Sequence, residues 1–181
     1  MCGFFCVSST EGISISREKI SKSYSNLKNR GPDSAGLFVH YIDDDYELIF
    51  DNNIKNWKPK TKVFCIIGFS RLSIRGLEKK YNQPFIKNGN ITVFNGEIYN
   101  DKEICKSLNL AYETGQGDIE LVNNIFLSKN FLEYFTKNSE GMYAIVNYNL
   151  REKKITFLRD IFGIKPLYQT IKNNTIYLSS S

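Results

Sequence analysis

The order of apolar runs along the chain predicts an α+β protein with largely antiparallel sheets. Strand-like segments come first, helix-like segments fill the middle, and strand-like segments return at the end. There is no regular strand–helix alternation of the kind that builds a parallel sheet. The last four strand-like runs fall into two pairs joined by short turns, which favours antiparallel hairpins. A helix layer packed on stacked sheets fits this count.

The first run, Cys2-Gly3-Phe4-Phe5-Cys6-Val7, is short and apolar, as in a buried strand. Residues 16–29 read as a helix: Ser16 is placed to N-cap it, Glu18 sits in the first turn, and Ile20, Tyr24 and Leu27 share a face. Gly31-Pro32 stops it. Residues 35–41 and 46–50 read as strands joined by the acidic turn Asp43-Asp44-Asp45. Residues 51–62 are polar, contain Pro59 and read as a loop. A strand follows at 62–68, rich in β-branched and aromatic residues. Residues 76–90 read as irregular, with Pro84 and the turn signal Asn88-Gly89. Residues 91–94 form a strand running into Asn95-Gly96, a pair that alone would mean a hairpin turn. Helices are predicted at 102–108 and 118–127, with Asp118 near the N-terminus of the second, and a short third at 131–136. Strands at 142–148, 154–159, 167–171 and 175–178 complete the chain.

A length of 181 residues suits one domain able to bury a core without disulfides. Apolar content of 41% and aromatic content of 14% exclude a disordered chain. No apolar run reaches membrane-spanning length and no segment reads as a signal peptide, so a cytoplasmic protein is expected. Cys2, Cys6, Cys65 and Cys105 form no C-x-x-C pair, and His40 is the one histidine. No zinc-ligand set follows, and neither metal nor cofactor is expected. His40 lies in an apolar, strand-like run and reads as structural. The net charge of +5 is spread over the chain. Arg71 and Arg75 are close, but no basic-aromatic pattern marks a nucleic-acid site, and neither nucleic acid nor membrane is an expected partner.

The most informative feature is the start, Met1-Cys2-Gly3. With the initiator Met removed, as a small second residue favours, one residue carries both a thiol and a free α-amine. Such a residue supplies a nucleophile and its base together. Unperturbed, the amine titrates at about 7.7–8.0 and the thiol at about 8.5, so proton transfer between them is nearly balanced. With a single histidine elsewhere, the amine fills the role of base.

Five segments then stand in order: Met1-Cys2-Gly3; Arg30-Gly31-Pro32-Asp33; Arg71-Leu72-Ser73-Ile74; Phe94-Asn95-Gly96-Glu97-Ile98-Tyr99-Asn100; and Arg159-Asp160 with Gly163-Ile164-Lys165-Pro166-Leu167-Tyr168. This set resembles the class II glutamine amidotransferase domain, most closely the glutaminase half of glutamine-hydrolysing asparagine synthetases. The resemblance spans nearly the whole chain and implies a four-layer αββα N-terminal nucleophile hydrolase sandwich. It also implies hydrolysis of L-glutamine to glutamate and ammonia through a γ-glutamyl thioester on Cys2. Asn95 and Gly96 would form the oxyanion hole. Arg71 would grip the substrate α-carboxylate, so that its loss would raise KM far more than it altered folding stability, and Leu72, Ser73, Ile74 and Arg75 would complete that end of the pocket. Asp118 would pair with the α-ammonium, with Glu97 close by. The implied partner is a synthetase domain or subunit that receives the ammonia.

The chain departs from the family at several positions. Phe69 and Asn29 stand where relatives carry His, and a packing change is expected at Phe69. Gly76 stands for an Asp, Gly117 for a Ser or Thr, and Gln116 reads as a one-residue insertion. The family continues past Tyr177-Leu178-Ser179-Ser180 into an ATP-using synthetase domain. The 181 residues hold no Gly-rich phosphate loop, so a glutaminase domain over 1–181 without synthetase chemistry is expected. A non-catalytic glutamine-binding remnant and a free-standing amidohydrolase are the alternatives.

Overall fold

The computed structural model describes residues 1–112 and 117–181; Gln116 lies outside the described residues. Ten strands form two sheets. The first has the order β3-β2-β4-β1-β10-β9, from β1 (Gly3–Ile13), β2 (Ser34–Tyr41), β3 (Tyr46–Phe50), β4 (Val63–Arg71), β9 (Tyr168–Lys172) and β10 (Thr175–Ser179). The second has the order β5-β6-β7-β8, from β5 (Phe85–Lys87), β6 (Asn90–Ile98), β7 (Gly141–Asn149) and β8 (Lys154–Arg159). Every pairing is antiparallel. Helices α1 (Arg17–Leu27) and α2 (Asn52–Asn56) follow the first strands, and α3 (Asp101–Ser107), α4 (Asp118–Leu127) and α5 (Phe131–Glu133) lie between β6 and β7 in the chain.

The alternation of side chains along β1 explains the layering. Phe4 and Cys6 point between the sheets, where they join Phe38, Ile67 and Phe69 from the first sheet and Ile91, Val93, Val146 and Tyr148 from the second. Phe5 points the other way and packs with Ile20 and Leu27 of α1, Ile54 of α2 and Trp57. The outer face of the second sheet, through Phe94, Ile98, Tyr143 and Ile145, is covered by Ile104 of α3, Ile119, Val122 and Ile125 of α4, and Phe135. Three apolar layers thus separate four structural ones, and the chain is an αββα sandwich of the N-terminal nucleophile hydrolase type. Phe69 is fully buried between the sheets.

Several local expectations match. Ser16 caps α1, its Oγ accepting from Lys19 N–H at 3.4 Å. Asn88 and Gly89, both with positive φ, turn β5 into β6, and Asn173-Asn174 do the same between β9 and β10. Others are corrected. The 51–62 loop contains the five-residue α2, which Ile54 and Trp57 pin to the core. The irregular 76–90 stretch contains a 3₁₀ turn at Lys79–Tyr81 and the three-residue β5. The strand at 91–94 does not end there: β6 runs through Asn95 and Gly96 to Ile98, paired with β7 throughout. The short helix at 131–136 begins as α5 and continues as a π-helical turn, Tyr134–Asn138. No helix of the described residues is long and apolar enough to cross a membrane.

His40 ties the sheets together. It is buried on β2, its Nδ1 lies 2.8 Å from the Tyr148 hydroxyl on β7, and its Nε2 lies 3.5 Å from Asp44. Burial holds the imidazole below its ordinary value, against the opposing pull of Asp44. The ring is therefore neutral when folded, whereas in the unfolded chain it takes up a proton below about pH 6.5. The unfolded state then binds more protons, so this contribution to stability falls as pH falls through that value. Urea unfolding at pH 7.5 and 5.5 should show the wild type losing more stability than His40→Gln, by up to about 1 kcal/mol. An equal loss in both proteins would contradict this assignment.

Candidate active site

The β1–β4 ladder brings the start of the chain to the end of β4. Gly3 pairs with Ser70, so Cys2 lies beside Arg71 and Leu72. Leu72 N–H points at Cys2 Sγ at 3.4 Å, and Sγ lies 3.5 Å from Leu72 O. Burial raises the thiol pKa; Leu72 N–H, the chain terminus and the charges of Arg71 and Lys165 oppose it.

The Arg30-Gly31-Pro32-Asp33 segment holds this junction from behind. Arg30 Nε donates to the Cys2 carbonyl at 3.1 Å. A Cβ on Gly31 would lie 2.2 Å from Ser70 O, so only glycine fits against β4 there. Asp33 N–H donates to Arg71 O at 3.0 Å, and Asp33 Oδ2 accepts from Ser73 N–H at 2.7 Å. The motif is a clamp that fixes both Cys2 and the turn after β4.

Opposite Cys2 is the free edge of β6. Gln83 holds that edge at Phe94, accepting from its N–H at 2.7 Å and donating to its O at 3.3 Å. Further along, Ile98 N–H donates to Asp118 Oδ2 at 3.2 Å. Backbone N–H groups two residues apart in a strand face the same way. Gly96 N–H, midway between these two, therefore faces the same edge and away from β7. A Cβ on Gly96 would lie 2.1 Å from Met142 O on β7. Asn95 is 2% exposed, and among the described residues its Nδ2 has no hydrogen-bond partner. A buried donor left unmade costs about 1–3 kcal/mol, which marks it as awaiting an acceptor.

Between these walls is a cavity of about 270 Å³. Cys2, Arg71, Leu72, Ile74, Arg75, Asn95, Gly96, Glu97 and Asp118 all line it. Ser73 is not among its lining residues; its N–H is turned to Asp33. Two side chains are already engaged. Arg71, 5% exposed, donates from Nη1 to Asn82 Oδ1 at 2.8 Å and from Nη2 to Arg75 O at 3.2 Å and to Gly76 O. It also organises its own loop. Arg75 Nη1 lies 3.0 Å from Asp118 Oδ1, and its Nη2 lies 2.6 Å from Asp101 Oδ2. Burial lifts the Asp118 carboxyl to about 6, against the pull of Arg75.

Sequence reading missed Arg30, Asp33, Gln83, Asp101 and Lys165 as site builders. Lys165 is 7% exposed and lines the cavity beside Met1. It is held by Asp160, whose carboxylate accepts from Tyr143, Ile164 and Lys165 N–H groups at 2.9–3.2 Å. The two glycine departures are one feature. Gly76, at φ 59°, packs against Gly117, and a Cβ on either would strike the Tyr81 ring at 2.7–2.8 Å. Tyr81 occupies the room that larger residues would need. No group of three His, Cys, Asp or Glu side chains among the described residues is arranged to hold a metal.

An antiparallel αββα sandwich in which Cys2 shares a cavity with the unpartnered Asn95 amide defines a hydrolase-like protein built around its N-terminal strand. Comparison makes this specific. A glutamine amidotransferase domain model matches residues 55–181, and the chain belongs to that family, as a class II domain. Asparagine synthetase [glutamine-hydrolysing] 1 of Bacillus subtilis is 29% identical, covering 99% of this chain and 26% of that protein. The corresponding enzyme of Zea mays is 30% identical over 93% of this chain and 25% of its own length. A protein provisionally named asparagine synthetase [glutamine-hydrolysing] 2 in Methanocaldococcus jannaschii is 29% identical, over 93% of this chain and 32% of its own. The chain thus spans about a third or less of the length of these relatives.

The Asp33 clamp yields a test. Asp33→Ala removes a charge-assisted bond at the protein surface, worth about 1 kcal/mol after solvent screening. The expected result is a small fall in melting temperature with a clear gain in amide exchange at Ser73. Unchanged exchange at Ser73 would show that the turn does not depend on Asp33.

Proposed function

We propose that residues 1–181 act as one glutaminase domain, hydrolysing L-glutamine with Cys2 as nucleophile and the α-amine of Cys2, freed by removal of Met1, as base. Cys2 Sγ attacks the side-chain amide carbon and its proton passes to the amine. Asn95 Nδ2 and Gly96 N–H stabilise the oxyanion, and the amine returns the proton to the departing ammonia. Water then cleaves the thioester to release glutamate and restore the thiol. The observation that carries this reading is Asn95 Nδ2, a buried donor with no partner among the described residues, on a strand whose Asn95 and Gly96 line the same cavity as Cys2.

Arg71 and the backbone of 72–75 would hold the substrate α-carboxylate, while Asp118 and Glu97 would take the α-ammonium. Because Arg75 already touches Asp118, the substrate would share that carboxylate rather than own it. The names of the relatives support an asparagine-synthetase-like site as acceptor of the ammonia, and thiol chemistry fits the reducing cytoplasm.

Glutamate release should require Cys2 and no ATP, since the chain carries no phosphate-binding loop. Cys2→Ala should abolish release with the fold intact by circular dichroism. Turnover near the wild-type rate would remove Cys2 from the mechanism. Glutamine binding to wild type without release or thioester would favour a binding module, and release from another amide alone would favour a different amidohydrolase.

Asp118→Asn separates binding from folding. A carboxyl lifted to about 6 is one whose charge the fold disfavours. From this group alone, stability rises as pH falls from about 6 to 4, because the folded state then binds more protons. The neutral variant should therefore unfold at no lower urea concentration than wild type at pH 7, while KM for glutamine rises about tenfold or more. An unchanged KM would exclude Asp118 from the substrate contacts.

A further inference from the structure

Lys165 differs from the other cations of the site. Arg75 is matched by Asp101 and Asp118, and Arg71 by Asn82 and two carbonyls. Lys165 Nζ donates only to the thioether Sδ of Met1, at 3.4 Å; among the described residues it has no other hydrogen bond and no ion pair. Thioether sulfur is a weak acceptor, so a side chain 7% exposed has no strong partner there. Its backbone is nevertheless fixed. Asp160 holds the N–H groups of Ile164 and Lys165, Gly163 turns the loop at φ 66°, and Pro166 follows. Lys165 lines the same cavity as Met1 and Cys2, and its charge acts on the Cys2 thiol.

We propose that Lys165 is a positioning residue for the hydrolytic step: its ammonium, held beside the N-terminus, disfavours the protonated form of the Cys2 α-amine and keeps it a free base. This rests on the reading of Cys2 as nucleophile with its own amine as base. Like charges in a site of restricted solvent access repel, and the ionised form of the weaker base yields. The same charge favours the thiolate, which offsets the weaker basicity it gives the amine in the first proton transfer. Arg30, at the Cys2 carbonyl, and Arg71, at the end of β4, act in the same direction. Glu97 of β6 and Asp118 of α4 line the same cavity and act against them, Asp118 being already offset by Arg75.

The test uses Met1-free protein carrying ¹³C-cysteine, with wild type compared with Lys165→Met and Lys165→Arg; Lys165→Gln serves if the Met variant does not fold. The Cys2 ¹³Cα shift, followed against pH, reads the amine directly and needs no catalysis. In the Met variant its midpoint should rise by about half a pH unit or more. The acid limb of kcat/KM for glutamine should move the same way, lowering activity at pH 6.5 about threefold, while rates above the limb stay within twofold of wild type. The Arg variant should keep the wild-type midpoint. An unmoved midpoint in a folded neutral variant, or an Arg variant that behaves like Met, overturns the proposal. If wild type releases no glutamate yet the midpoint moves as stated, the electrostatic role of Lys165 stands and the glutaminase reading falls.

Discussion

Gly3 pairs with Ser70 across the β1–β4 ladder, and the placement of the candidate site depends on that register. A shift of one residue would send Phe4 and Cys6 out of the inter-sheet core and bring Phe5 in, at a cost no surface contact could offset. The hydrophobic pattern of β1 therefore does more than bury area. It sets how far Cys2 reaches along β4, and so which backbone N–H meets its sulfur. Arg30 and Ser180 secure the same strand from its two sides, at the Cys2 carbonyl and at Phe4.

Carboxylates do much of the structural work around the cavity, by accepting from backbone N–H groups in irregular segments. Asp33 fixes the turn after β4, Asp118 takes the free edge of β6 at Ile98, and Asp160 gathers three N–H groups from β7 and the β8–β9 turn. Each replaces the regular hydrogen bonds that a loop lacks. The cavity wall can then be built from irregular backbone, whose exposed groups are turned toward whatever enters. The Asn95 amide is left over from this accounting, on β6 beside the Gly96 N–H that faces away from β7.

Much of the scaffold was legible because burial and periodicity coincide. The α1 face of Ile20 and Leu27, the cap at Ser16 and the strands of the two C-terminal hairpins follow from local pattern alone. The short elements α2 and β5 were not legible, since five and three residues carry too little period to register and owe their form to tertiary partners. Asn95-Gly96 misled for a physical reason. The pair has strong turn chemistry, but β7 lies alongside and leaves no space for any side chain at residue 96, so glycine serves close approach instead of a bend. The roles of Arg30, Asp33 and Asp160 act across 28 to 40 residues or through a loop with no period, and only the ordered motifs hinted at them. Lys165 stood in the last of the ordered motifs, between Ile164 and Pro166, with no role attached to it.

The pairing of β1 with β10 joins Phe5 to Ser179, nearly opposite ends of the chain. During synthesis the first strand is thus made first and fully flanked last. At about 5–20 residues per second, the thiol at residue 2 spends roughly 10–40 s outside its finished sheet. Such long-range closure is slow in folding as well, since the entropy of bringing distant segments together is lost before contacts repay it. Cys2 meets the charges of Arg71 and Lys165 only after β4 and the β8–β9 turn have been made, so until then its thiol lacks those surroundings.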